Sequence, residues 1–321
     1  MATFVFGVVE APVRGWTHPS VWGAMAGGVA LGAAFTVVEL RRTHPLLDVR
    51  LFGDPHFATG SAGVTFLFFA SFGFFFVSMQ YIQLVMGYSP IATAVALCPL
   101  AVPILAFGAT THRYLPLLGL RLTASFGLLL TAVGLRCLRT LEIGSSYLDF
   151  AWPLLIMSVG IGLCTAPATS AIMGAVPDEK QGVASAVNDT TREVGAALGI
   201  AVAGSVLAAQ SEKHLAPALG ALPEAVRTPA LNSLAEALAA AGHMGPQGVR
   251  LTQIAQQAFL DATGSAVAIL GAVIAVAAVL TGVWGPGRDG QQLGVIRRLR
   301  TRRTRPPGGR SWRSSRAAHD W

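Results

Sequence analysis

Seven stretches of about 20 residues, each nearly free of charge, constrain this chain more than any other feature. They fall at about 20–40, 57–79, 90–111, 117–138, 150–173, 184–208 and 263–284. A stretch of that length and composition crosses the hydrocarbon core of a bilayer as one helix. With 53% hydrophobic and 12% charged residues, a water-facing surface could not be built around them. Inside a bilayer every backbone N–H and C=O must be satisfied within its own segment, so the seven runs are read as helices. The fold class expected is an all-α integral membrane protein.

The net charge of +7 invites a nucleic-acid reading until it is located. Ten of the 21 arginines lie after Gly287, so the charge belongs to a tail rather than to a domain. Rich in Arg, Pro, Gly and Ser, the segment 286–321 is expected to be a basic, disordered tail, and no specific nucleic-acid partner is expected. Cys98, Cys137 and Cys164 fall in or beside apolar runs at spacings that fit neither a disulfide framework nor a zinc site. His44 and His56 have no CxxC or HExxH company, so no metal and no cofactor is expected. No nucleophile–base–acid set appears, which argues against an enzyme. Met1 to Ala11 is apolar but too short to span and lacks the features of a signal peptide.

Within the runs, the polar residues are the informative ones. Residues 57–79 carry Phe66, Phe68, Phe69, Phe72, Phe74, Phe75 and Phe76, rings that can line a cavity for planar or cationic lipophilic compounds or simply face lipid and neighbouring helices. Gln80 and Gln83 follow, and amides in an apolar setting need partners, which makes them candidates for binding a substrate. Thr165 is a third candidate. Pro99 and Pro103 are expected to bend the run 90–111.

The most specific stretch is Val176 to Leu207, VPDEKQGVASAVNDTTREVGAALGIAVAGSVL. It opens with a charged turn, passes Asn188, Asp189, Arg192 and Glu193, and becomes apolar from Val194. Gly195, Gly199 and Ala203 recur every four residues, so they share a helix face that lets another backbone come close. The string G-V-A-S-A-V-N-D-T-T-R-x-x-G-A-A-L-G closely resembles the thirteenth helix of the 14-helix drug/proton antiporters of the major facilitator superfamily. GIGLCTAPATSAIMGAVP resembles the preceding helix, HPLLDVRLF the connector into the last six helices, and FGVVEAPVRGW the end of the seventh helix. The resemblance covers nearly everything from Phe4 to Trp284.

That resemblance implies a C-terminal six-helix bundle of a major facilitator fold, preceded by one full and one partial helix. Residues 1–56 would be the remnant of two central helices and a connector. Residues 57–285 would be the transporter half, built as a 3+3 repeat, with a loop at 209–262 bearing short surface helices. It also implies export of hydrophobic or amphipathic small molecules, driven by protons through alternating access. The first half of that fold, with the main proton-coupling acid, is expected to be missing, so the chain alone is expected to be inactive, or to pair with a separately encoded N-terminal half. His112 to Arg121 resembles the family's gating loop but keeps only Arg113, Gly119 and Arg121 of its motif. Asn188 and Arg192, with Gly195 and Gly199, are expected to gate or brace the helix end. Water or Arg192 is expected to serve Asp189 and Glu193. The alternative is a membrane-anchored interaction protein that uses its basic tail without transport.

Lys and Arg favour the cytoplasmic side of short loops. Seventeen of the 23 fall on one side when seven spans alternate, ten of them in the tail. The expected location is a bacterial plasma (inner) membrane, multi-pass, with the C-terminus in the cytoplasm.

Overall fold

Gly119 decides the topology of the bundle. In the computed structural model the helical run Pro90–Thr140 is 51 residues long, which at about 1.5 Å per residue is more than twice the thickness of a bilayer core. At Gly119 the backbone takes φ 74, ψ 166, a region essentially closed to residues with a Cβ. The chain reverses there. Ala96 and Ile104, before the turn, lie beside Tyr147 and Gly162, whereas Gly127 and Gly134, after it, lie beside Gly160 and Met157. One arm therefore runs parallel to the following helix and the other antiparallel. This corrects the loop expected at 112–121. The helix continues through Pro116 to Leu118, and the turn is a single buried glycine.

The structure describes residues 2–14, 18–42, 49–219, 227, 231, 233–242 and 244–287. The connector at 43–48, the tail from 288 and parts of 209–262 lie outside the described residues. Among those described, the regular elements are helices: α1 (Ala2–Arg14), α2 (Pro19–Arg41), α3 (Pro55–Gln80), α4 (Pro90–Leu97), α5 (Ala101–Cys137), α6 (Tyr147–Gly174), α7 (Gln181–Leu219), α8 (Leu234–Gly242) and α9 (Pro246–Trp284). Six helical runs are long and apolar enough to cross a membrane, and the Gly119 reversal divides one of them into two. Divided so, they give seven segments, as many as the crossings expected.

Local chemistry sets the ends. Asp54 accepts from the N–H groups of His56 (2.8 Å) and Phe57 (3.1 Å) while Pro55 occupies the first turn of α3, the N-terminal pattern that satisfies otherwise orphaned donors. Ser146 and Asp149 form a capping box on α6. Pro99 lies in a 3-10 turn, Cys98–Leu100, which interrupts the α-helical pattern between α4 and α5. The loop expected at 209–262 is largely helical. α7 runs on to Leu219 and α9 starts at Pro246, with α8 between them.

α3 sits at the centre and packs on α6, α7 and α9. Phe74 stacks on Phe150 at 6.2 Å and 15°, and Phe150 meets Tyr81 at 6.1 Å. Two cross-links tie distant helices: Ser125 Oγ donates to Ala278 O (2.7 Å), and Gln256 Nε2 donates to Leu84 O (3.1 Å). The second acceptor belongs to a π-helical turn, Tyr81–Val85, that ends α3. α1 and α2 form an antiparallel pair leaning on α7, with Ser205 Oγ donating to Val8 O at 2.7 Å. Large apolar residues such as Trp22, Leu31, Val102, Leu105 and Val279 face outward, as lipid-facing positions do.

Candidate functional site

The site is built where α7 crosses α3. At about 100° per residue, Asn188, Arg192, Gly195 and Gly199 fall on one face of α7. Gly195 abuts the carbonyl of Thr65 and Gly199 the carbonyl of Phe69, so close that a Cβ on either would strike backbone. Ala203 continues the same buried face. Small residues bring the helices together, and the polar residues one turn earlier are carried into the contact.

Arg192 lies over the ring of Phe68 of α3, 5.3 Å from its centre. One guanidinium nitrogen makes a long hydrogen bond (3.4 Å) to Thr169 Oγ1 of α6, and that hydroxyl donates to Asn188 Oδ1, also at 3.4 Å. Asn188 is only 4% exposed. The Nε of Arg192 is buried with no hydrogen-bond partner. Three helices thus meet around one cation that lies over an aromatic face. Such a contact is worth about 2 kcal/mol when desolvated. The sequence reading had not singled out Thr169, although it sits one helical turn after Thr165.

Asp189 and Glu193 point elsewhere. With Thr190, Val194, Ala197, Leu198 and Val5 of α1 they line a cavity of about 640 Å³. Among the described residues no ion pair joins them to Arg192, which of the two expected partners leaves water. The helical twist places the carboxylates at an angle to the α3-facing side. This leaves one surface of α7 acidic and exposed, and another basic and packed.

The remaining candidates are dispersed. Gln80 donates to Phe76 O on its own helix (3.2 Å) and lines a second cavity, at the opposite end of α7 from Arg192. Gln83 lies in the π turn and lines neither cavity. Thr165 donates to Ile161 O within its helix at 2.7 Å and also lines neither. Arg113 is exposed on α5. Gly119 is the buried turn, and Arg121 lies against Gly285 at the end of α9. Of the seven phenylalanines, Phe69 and Phe74 are core, Phe68 supports Arg192, and Phe76 lines the second cavity.

A glycine-paved crossing with polar groups carried into helices of membrane length defines a polytopic membrane bundle. Residues 2–200 match the Major Facilitator Superfamily, and the chain belongs to that family. It is 32% identical over 232 residues to the multidrug resistance protein Stp of Mycobacterium tuberculosis, covering 71% of this chain and 42% of that protein. It is 28% identical to the tetracenomycin C resistance and export protein of Streptomyces glaucescens, covering 87% of this chain and 53% of that one. The chain spans about half the length of the curated relatives it matches. Its fold is similar to a bacterial homologue of the human lysosomal transporter Spinster, solved inward-facing and unoccupied, with TM-score 0.52 and 16% identity over 73% of this chain and 49% of that one.

Proposed function

We propose that this chain supplies the C-terminal half of a proton-coupled exporter of the 14-helix drug/proton antiporter branch, moving amphipathic compounds by alternating access. The observation that carries the reading is the split character of α7. Its α3-facing side holds the half-buried Arg192, while Asp189 and Glu193 line a 640 Å³ cavity whose other walls are mostly apolar. Carboxylates in a membrane helix mark a route for ions or substrates. Apolar walls beside them suit an amphipathic cation. Both relatives are named for resistance to small molecules.

Alternating access needs two halves rocking about a site between them, so the working unit contains a first half as well, carried on the same polypeptide or on a second one. The acid that couples to protons belongs to that first half. Residues 57–285 form the second half in this reading, residues 1–56 the preceding helices, and 286–321 a basic tail. The transporter sits in the bacterial plasma membrane with the Arg192 end of α7 and the tail in the cytoplasm.

The test is proton-driven dye export from inverted vesicles of an efflux-deficient host. Residues 1–321 alone should export no more than empty vesicles. Beside a family N-terminal half, export should appear and collapse when the proton gradient is dissipated. Robust export by the purified chain alone would overturn the two-half mechanism.

A further inference from the structure

The second cavity, at the opposite end of α7 from Arg192, has a different chemistry from the acidic one. It encloses about 250 Å³ and is walled by Phe76, Leu207, Leu215, Leu234 and Phe259, with Gln80, Ser211 and Ser233 as its polar side chains. None of the described residues lining it is ionisable. Native interiors hold few voids larger than a water molecule, so a space of this size invites a ligand.

Its roof is anchored. Ser233 caps α8 by accepting from Glu236 N–H at 3.2 Å, which commits its oxygen. The turn from α8 to α9 passes through Gly245 at φ 59 and brings Gly248 against the carbonyl of Ala241. Backbone bonds from Met244 N–H to Ala241 O (3.1 Å) and from Gly248 N–H to Gly245 O (3.0 Å) close it. Gln256, next to Ala255 and one turn before Phe259 in the wall, ties α9 to the end of α3 through Leu84 O. The cavity is therefore preformed, as ligand sites commonly are.

Two polar groups remain uncommitted. Gln80 gives one N–H to Phe76 O, and its carbonyl oxygen, with no partner among the described residues, can accept from a donor in the cavity. Ser211 makes no hydrogen bond among the described residues. We infer that this cavity is a binding site for a neutral, two-ring aromatic molecule carrying one hydrogen-bond donor, held between the rings of Phe76 and Phe259 and read by Gln80. Size sets the ring count: an apolar cavity of about 150 Å³ takes one benzene, so 250 Å³ has room for a fused pair. A neutral ligand is favoured because no counter-charge lines the wall among the described residues and burying an unpaired ion is costly. The site lies roughly 22 Å along α7 from Glu193, counting Glu193 to Ala208 at about 1.5 Å per residue. Binding there requires no transport, so the inference stands independently of the export reading.

The experiment uses the full 321-residue chain purified in micelles and follows 5-fluoroindole by 19F NMR. Wild type should give a saturable signal above micelle partitioning, displaced by indole but not by the naphthyltrimethylammonium cation, which keeps two rings and adds a charge. Ala208→Phe and Ser211→Phe fill the cavity from two successive turns of α7 and should each abolish saturation. Gln80→Leu, close to isosteric, should weaken binding about tenfold. Size-exclusion profiles establish that each variant is folded. A signal that never saturates, equal displacement by the cation, or saturable binding retained at full strength in Gln80→Leu and in the folded Phe variants would overturn the assignment.

Discussion

The guanidinium of Arg192 stands 5.3 Å from the centre of the Phe68 ring, so an aromatic face rather than a carboxylate supports the positive charge where α7 meets α3. This follows from register. Asp189 and Glu193 are near in sequence but turned into the acidic cavity, while Arg192 shares its side with the glycines that draw α3 close.

Replacing Phe68 by Leu should therefore lower stability by about 1–2 kcal/mol, read as a fall in unfolding temperature of the purified chain. In a complete two-half transporter, Arg192→Ala should cut export about tenfold, equivalent to roughly 1.4 kcal/mol, with the protein still inserted. Arg192→Lys should recover only part of it, because an ammonium cannot reach Thr169 and cover the ring with one planar group. Unchanged export in Arg192→Ala would leave the residue a brace for folding alone.

The α3–α7 crossing makes a sharper distinction among glycines. Gly199→Ala should destabilise by about 1–3 kcal/mol, since the new methyl meets the Phe69 backbone. Gly204→Ala should be tolerated, because its Cβ would meet only the edge of the Phe76 ring at 3.4 Å. Thermal unfolding of the two variants side by side checks the crossing; equal effects would contradict the packing described.

Gly119→Ala tests the reversal inside Pro90–Thr140. At φ 74, ψ 166 a side chain is strained, and the cost is on the order of 1–3 kcal/mol. Gly108, in the same helix with open space around it, should gain up to about 1 kcal/mol on becoming Ala. The opposite signs should appear in one set of melting curves.

The acidic cavity should be legible to cations. The Asp189→Asn, Glu193→Gln double variant should weaken binding of a lipophilic phosphonium to the purified chain about tenfold, with neutral dyes of similar size unaffected. Equilibrium dialysis is sufficient. Equal affinity of wild type and variant for the phosphonium would remove the cation preference from the proposed function.

The side assignment has a direct test. Among the described residues α9 is the one helix of membrane length between the end of α7 and the tail, so reporter fusions after Gly220 and after Arg288 should report opposite sides, the second cytoplasmic. Both fusions on one side would refute the seven-crossing alternation and the orientation together.

Much of this protein was legible in its sequence. Charge-poor runs of bilayer length dictate helices because lipid offers a backbone no partners. The four-residue spacing of Gly195, Gly199 and Ala203 marked the close crossing before any neighbour was known. What the sequence could not place was everything that depends on the partner helix. It did not assign Phe68, one of seven rings, to Arg192, nor Thr169 to the same cluster, since those contacts join three separate helices, α3, α6 and α7. Nor could it turn 112–121 from a loop into a helix ended by one glycine, because a polar surface turn and a helix end carry similar residues. The anchored α8 roof and the uncharged cavity beneath it likewise arise only when α3, α7 and α9 are packed. Local sequence sets helix length and the face each residue occupies. The distance and angle between helices, set by close packing of whole surfaces, decide which polar groups meet.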